Sequence, residues 1–534
     1  MLRTKITPLV LLFLCSCASI VSPTGGPKDT TPPVCTKQIP AANTTRFNEK
    51  KIAFVFDEFV VLNDVTNQFI MSPPMEKNPE IKVVGKRIEI EFKEALLPNT
   101  TYTLNFGNSI ADYNESNPLQ GLTYTFSTGD YIDSLKLNGS VKDAFTLLPD
   151  KNIAVALYQT KDDSTIFKTK PSYLVRPDST GNFKFNYLRP AEYELIAFED
   201  INKNLKIETN EKVGFYSTKI NLAYNQQDSS STAYNLMISP QPSNLKPQVI
   251  TAKEKSKGKY EVIVSGSNCK LFVEEPGANK KATFIQQVSG KLCDTLMLYT
   301  DINFIDSVIL PVTIDTVVEN TTITCRSKQY DKFKLTSQEN ILNYDFSKPL
   351  SVGFTNPVTE IRKQLVHLKE DSTEVTDFTL TNDSINPLLF HVNKQWKDDN
   401  NYTLIFSKGA IKDLFGQECD STIIQLKTAP STAFGNLTIN VDNKPNTNLI
   451  VQLLDNQNTI VKEQTIDKSQ DITYQNLFPG QYFIKVIEDA NKNGRWDGAN
   501  YPKKQQAERV FITPQSIEVR ANWDLTDIKI VTGF

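Results

Sequence analysis

Two stretches of this 534-residue chain read almost alike, and together they limit how it can fold. EDANKNGRWD runs from Glu488 to Asp497, and EDINKN from Glu199 to Asn204. The approach to each is shared as well: Leu188, Pro190, Tyr193 and Asp200 each stand 289 positions before a residue of the same type. A match held in constant register across a strand-like run and a loop implies that a whole module was duplicated, since a short motif arising by chance would not carry its surroundings with it.

At ~100–200 residues per domain, this length exceeds one hydrophobic core and predicts four or five modules. Thirty Phe and 19 Tyr, with many Val, Ile and Thr, favour strands, because branched and aromatic side chains pack well on a pleated surface. The expected fold class is all-β, built of tandem β-sandwich modules. A net charge of −3, with basic residues scattered among acidic ones, gives no surface that tracks phosphates, so no nucleic-acid partner is expected.

At the N-terminus Arg3 and Lys5 precede an apolar run, Leu9 to Leu14, that is too short to span a bilayer and has the layout of a secretory signal. Leu14-Cys15-Ser16-Cys17-Ala18 then resembles a bacterial lipobox. That resemblance implies cleavage after residue 16 and acylation of Cys17, where each buried methylene contributes ~0.8 kcal/mol to membrane attachment. An ordinary secretory signal cleaved elsewhere is the alternative. Residues 17–33, rich in Gly and Pro, read as a flexible tether.

Period-two alternation starts next. Ile52, Phe54 and Phe56, then Ile88, Ile90 and Phe92, then Tyr102, Leu104 and Phe106 mark half-buried strands of a sandwich over 34–130. LLPNTTYTLNFGNSIADYNESNPLQGLTYTFSTG, residues 96–129, resembles a bacterial Ig-like domain of the surface-layer type. Residues 131–243, with a turn at Asp178-Ser179-Thr180-Gly181, resemble a prealbumin-like or carboxypeptidase-regulatory-like sandwich, which implies a spacer or accessory binding unit. After the Pro-rich linker 240–247, residues 244–330 form a further β-sandwich of no assigned family. Residues 331–430 repeat the first sandwich, with Ile411-Lys412-Asp413 standing for Ile110-Ala111-Asp112, and 431–534 repeat the second. With the lipobox, the PTGGPKD tether and the closing VRANWDL, the chain resembles Ig-like-domain lipoproteins of Bacteroidota. This implies lipid anchorage at the outer membrane, on its surface or its periplasmic face.

Asp489, Asn491, Asn493 and Asp497 place oxygens at alternating positions suited to a hard cation, Gly494 permits the sharp turn, and Arg495 would offer its carbonyl. Glu508 is a more distant candidate ligand. The first copy keeps Asp200, Asn202 and Asn204, with Glu208 and Glu211 beyond, but Leu205 replaces the glycine; either its turn differs or the ion is absent. The alternative for both is an Asx-turn loop whose side chains bond their own backbone. Calcium is the only cofactor these patterns suggest.

Of the other cysteines, Cys35, Cys269, Cys293, Cys325 and Cys419, none has metal-site spacing. Cys269 with Cys293 either close a disulfide in an oxidising compartment or are reduced core residues. The two histidines, His367 and His391, read as core or cross-strand residues with no nucleophile motif beside them, so no enzymatic activity is expected. Trp396, Trp496 and Trp523 are candidate sugar platforms or core residues, and Trp496 stands out by its place in the loop. The expected role is a non-enzymatic structural or accessory protein-interaction subunit at the outer membrane. A carbohydrate- or matrix-binding adhesin is the alternative.

Overall fold

The computed structural model describes residues 29–534 except 160–165, 209–210, 225–232, 242–247, 266–268, 272–282, 290–293, 315–316 and 445–446. Cys17, the signal and most of the tether therefore lie outside the described residues, as do Cys293 and with it the Cys269–Cys293 pairing. The described chain is all-β, and among its residues no helix is long and apolar enough to cross a membrane. It divides into two compact units. One runs up to Leu135 and takes in Ser172–Leu174 and Asn186–Arg189; the other holds the remainder.

The first unit carries a four-stranded sheet ordered Cys35–Ile39, Lys51–Phe56, Arg87–Glu91, Glu80–Val84. Facing it is a three-stranded sheet ordered Thr123–Ser127, Thr101–Asn105, Ile70–Ser72. Alternation does what it predicts in strand Lys51–Phe56, where Ile52, Phe54 and Phe56 are buried. Phe54 meets the edges of Phe106 at 5.3 Å and Tyr124 at 5.4 Å, contacts worth ~0.5–1.5 kcal/mol each beyond their buried area. The last residues of the expected tether rest on this sandwich: the Asn117 amide donates to the carbonyls of Asp29 at 3.0 Å and Thr31 at 3.4 Å.

The sandwich at 340–428 has the same details 300 or 301 positions later. The Tyr102 hydroxyl accepts the Leu97 N–H at 2.8 Å, and that of Tyr402 accepts the Lys397 N–H at 2.9 Å. Thr128 accepts from Thr100 N–H and donates to the Leu97 carbonyl, as Thr428 does with Asn400 and Lys397. Asp112 accepts three backbone N–H groups of its turn, and Asp413 accepts two.

Eight strands between 135 and 240 correspond one for one with eight between 435 and 530. Leu135–Asp143 pairs in parallel with Ala233–Pro240, as Gly435–Val441 does with Asp524–Ile530. Ile153–Tyr158 pairs with Ala191–Glu199, as Asn448–Leu454 does with Gly480–Asp489. Among the described residues only the earlier sandwich adds the bridge of Lys212–Phe215 to Ala233–Pro240, which joins its two sheets into one of eight strands. Between these repeats lies a sandwich of two sheets, Gln248–Ser256, Lys259–Ser265, Asp294–Thr300, Thr283–Ser289 against Cys269–Leu271, Ser307–Ile314, Val317–Thr324, closed over Tyr260, Val262, Leu298, Leu310 and Val312. Cys35, Cys325 and Cys419 are free thiols; burial pushes the first two up in pKa.

Candidate functional site: the paired Asp/Asn loops

Strand Gly480–Asp489 runs straight into the second loop. Asp489 is buried, and its two oxygens accept the N–H groups of Asn493 and Gly494, both at 2.9 Å. Asn491 and Asn493 each accept an N–H two residues on, from Asn493 and Arg495, both at 3.0 Å. Their amides both donate to one oxygen of Asp497, that of Asn493 at 2.6 Å. Glu508, arriving from beyond the loop, clasps its ends by accepting Ala490 N–H at 2.8 Å and Asp497 N–H at 2.9 Å. Burial pushes the Glu508 carboxyl up, while those two N–H groups oppose the shift.

The first loop repeats this wiring. Asn202 and Asn204 donate to Glu208, the counterpart of Asp497, both at 2.8 Å. Glu211 accepts the N–H groups of Ile201 and Glu208, as Glu508 does those of Ala490 and Asp497. Burial raises its carboxyl likewise. The turn itself does not differ: Leu205 adopts φ 59° where Gly494 adopts 77°, and Lys203 and Lys492 stand at 61° and 60°. Leu205 thus bears the left-handed strain of ~1–2 kcal/mol that glycine escapes, and the closed hydrogen-bond network holds it there.

These bonds set what the loops can do chemically. Their oxygens already receive backbone N–H groups, and a calcium ion would need Asn491 and Asn493 to turn their carbonyls away from those donors. Among the described residues no group of three or more His, Cys, Asp or Glu is arranged to hold a metal ion. The Arg495 side chain lies 3.7 Å from Asp497. Trp496 is neither exposed platform nor core: its indole N–H donates to the Glu508 carbonyl at 2.9 Å, and its ring packs on Phe145, centroids 5.0 Å apart. Trp396 is buried and Trp523 exposed.

Both histidines lie on strands, but their surroundings are polar rather than apolar. His367 meets Glu374 at 2.8 Å. His391 stands between Ser351, Oγ to Nδ1 3.0 Å, and Asp383, Oδ2 to Nε2 2.9 Å. Backbone N–H groups of Asn386 and Ile385, with His391, hold Asp383 at about 2. The order hydroxyl, imidazole, carboxylate is that of a nucleophile relay. No spacing announces it; it arises because strands 350–353 and 379–382 flank 389–393 and set Ser351 and Thr381 opposite His391. Ser351 is exposed in mid-strand, and the neighbouring groove of about 600 Å³ is lined instead by Lys259, Lys332, Lys334, Phe354, Asn386 and Leu389 among others.

No curated protein matches the chain. Solved structures that match include the major pilin subunit of Bacillus cereus, at 11% identity and TM-score 0.14 over 74% of this chain and 99% of that one. A surface glycan-binding protein of the Bacteroides ovatus mixed-linkage glucan utilization locus, solved with a heptasaccharide, matches at 10% identity and TM-score 0.17 over 72% and 94%. The N-terminal Ig domains of Down syndrome cell adhesion molecule match at 9% and 0.14 over 92% and 70%. By sequence, residues 29–128 match the bacterial Ig-like domain, so the protein is an all-β tandem of sandwiches that opens with a module similar to that family.

Proposed function

We propose that this protein is a lipid-anchored, non-enzymatic outer-membrane lipoprotein serving as a structural or accessory protein-interaction subunit of a cell-envelope complex. The fold and the Ig-like match fit a structural or adhesive role. The observation that carries the interaction reading is a pair of branched apolar side chains held out to water on the outer face of the central sandwich. Ile309 and Val318, each 63% exposed, lie on paired strands, where Ile309 is opposite Thr322 and Val318 opposite Thr313. Each offers an apolar anchor that a partner surface could cover. Pro311 and Asn320, themselves paired, separate the two on the same face.

An adhesin reading rests on a different pair. Phe59 is 58% and Tyr113 67% exposed, and the Tyr113 N–H donates to the Phe59 carbonyl at 3.0 Å, so two exposed aromatic residues adjoin along the backbone of the first sandwich, with the Lys86 ammonium 5.6 Å from the Phe59 ring centroid. Flat rings in that setting stack on sugars.

Two measurements test the proposal together. Incorporation of an alkyne palmitate, lost in Cys17→Ala, tests the anchor. Affinity purification from crosslinked membranes tests the complex: a stoichiometric envelope protein retained by the wild type and lost in Ile309→Asp/Val318→Asp supports it. Equal recovery of the same proteins from the double variant and the wild type overturns it. Glycan binding lost in Phe59→Ala/Tyr113→Ala moves the assignment to the adhesin.

A further inference from the structure

The two Asp/Asn loops differ in one respect. Glu211 follows Asp200 by 11 residues and Glu508 follows Asp489 by 19, so eight additional residues sit between the Asp497 and Glu508 positions of the second copy. With the two residues that have counterparts in the first copy they make a ten-residue tongue, Gly498 to Ala507, whose base Glu508 clasps; Ala499 and Tyr501 bury themselves against the other prealbumin-like repeat while residues 502–506 stay exposed.

Tyr501 is 2% exposed. Its ring meets the edges of Phe215 at 5.2 Å and Phe167 at 5.9 Å, the Lys504 ammonium sits 3.7 Å from its centroid, and its hydroxyl donates to Glu194 Oε2 at 2.6 Å. Ala499 N–H donates to Ser239 Oγ at 2.7 Å, and the Gln506 amide to the Phe215 carbonyl at 3.0 Å. At Gly498 a Cβ would lie 2.6 Å from the Pro240 carbonyl oxygen, so only glycine permits this approach. Next to the tongue, Trp496 and Lys485 both pack on Phe145. Lys485, Ile487 and Ile450 point away from the core of their own sandwich and are nonetheless buried.

We propose that the tongue is an intramolecular clamp: the eight residues by which the second loop exceeds the first make it a docking element that holds the last sandwich against the earlier repeat. The partner it fits is the surface made by Phe167, Glu194, Phe215, Ser239 and Pro240 of the same chain. The Asp/Asn loop is its rigid mount, which gives the loop's hydrogen bonds a purpose with or without an ion. The two prealbumin-like repeats are thereby held together rather than strung apart.

The test uses the full chain with spin labels on p-acetylphenylalanine at exposed positions 184 and 475, one on each repeat, and measures their separation by double electron–electron resonance. The wild type is expected to give one narrow distribution. Removal of residues 499–506, which shortens the loop to the length of the first copy, is expected to lengthen and broaden it, with Tyr501→Ala shifting it part of the way. Circular dichroism of Tyr501→Ala, whose substitution lies outside its own sandwich core, checks that the modules stay folded. An unchanged narrow distribution in both variants overturns the clamp. A wild-type distance that disappears when labelled protein is diluted with unlabelled protein overturns the intramolecular assignment in favour of exchange between copies.

Discussion

The hydroxyl of Tyr501 donates to Glu194 Oε2 at 2.6 Å across 307 residues of sequence, and both groups are buried. Lys219 and Lys504 lie 3.8 and 3.9 Å from the other oxygen of the same carboxylate, so charge and hydrogen bond converge on one acceptor. Tyr501→Phe keeps the ring in its aromatic setting and removes only this donor. A buried carboxylate deprived of a donor costs about 1–3 kcal/mol. Chemical denaturation should show that loss for Tyr501→Phe, and an effect under about 0.3 kcal/mol would contradict it.

Gly494 stands at φ 77° with nothing within 4 Å of where a Cβ would sit, so a substitution there meets backbone strain and no clash. Gly494→Ala is expected to destabilise the last sandwich by about 1 kcal/mol. At the equivalent position Leu205 already carries that strain, and Leu205→Ala should leave φ-related stability unchanged, losing only what its half-buried side chain contributes. Thermal denaturation of both variants compares the two positions. Leu205→Gly should be more stable than Leu205→Ala by about 1 kcal/mol, the left-handed strain relieved, and no difference between those two variants would contradict the assignment.

Much of this was legible in the sequence, for a reason the loops make plain. Leu188, Pro190, Tyr193 and Asp200 keep their register with Leu477, Pro479, Tyr482 and Asp489 because each sits at a strand or loop position the fold fixes, so the repeat and the all-β class could be read directly. Leu205 was harder: propensity argues against a left-handed leucine, and tertiary hydrogen bonds overrode it. Tyr501 with Glu194, and Ser351 with His391 and Asp383, are invisible to periodicity, because they depend on which sheet faces meet and which strands pair.

Lys485 offers a pH test. Its strand alternation would send it to solvent, yet Phe145 covers it with the ammonium 2.9 Å from the ring centroid, and burial lowers it to about 8 while Asp143 opposes the shift. A lysine lowered on folding holds its proton more tightly in the unfolded chain, so stability should rise with pH from about 8 towards the unperturbed value of ~10.4, by up to about 3 kcal/mol. Below about 8 the cost is fully present. Denaturation between about pH 8 and 9.5, where tyrosines such as Tyr158 and Tyr474, pushed up by burial, stay neutral, should show the rise. Lys485→Met should flatten it, and an identical slope in that variant would contradict the cause.

The second loop is closed by its own hydrogen bonds, with Asp489 accepting two backbone N–H groups and Glu508 two more. Its order should therefore survive a chelator: the melting temperature in EDTA is expected to equal that in millimolar calcium, while Asp489→Ala lowers both. A calcium-dependent rise abolished by Asp489→Ala would show instead that Asn491 and Asn493 turn their carbonyls to an ion.

Ser351, His391 and Asp383 are in relay order on an exposed sheet strand. A non-enzymatic protein should hydrolyse p-nitrophenyl acetate no faster than its Ser351→Ala variant. A burst of nitrophenol lost in Ser351→Ala and in His391→Ala would contradict that assignment.

A photo-crosslinking residue at position 309, on the outer face of the central sandwich, tests the proposed partner contact most directly. Irradiation of cells should yield one discrete adduct with an envelope protein, abolished by Val318→Asp on the neighbouring strand. No adduct, or one that persists unchanged with Val318→Asp, would contradict the role of that face and with it the interaction-subunit function.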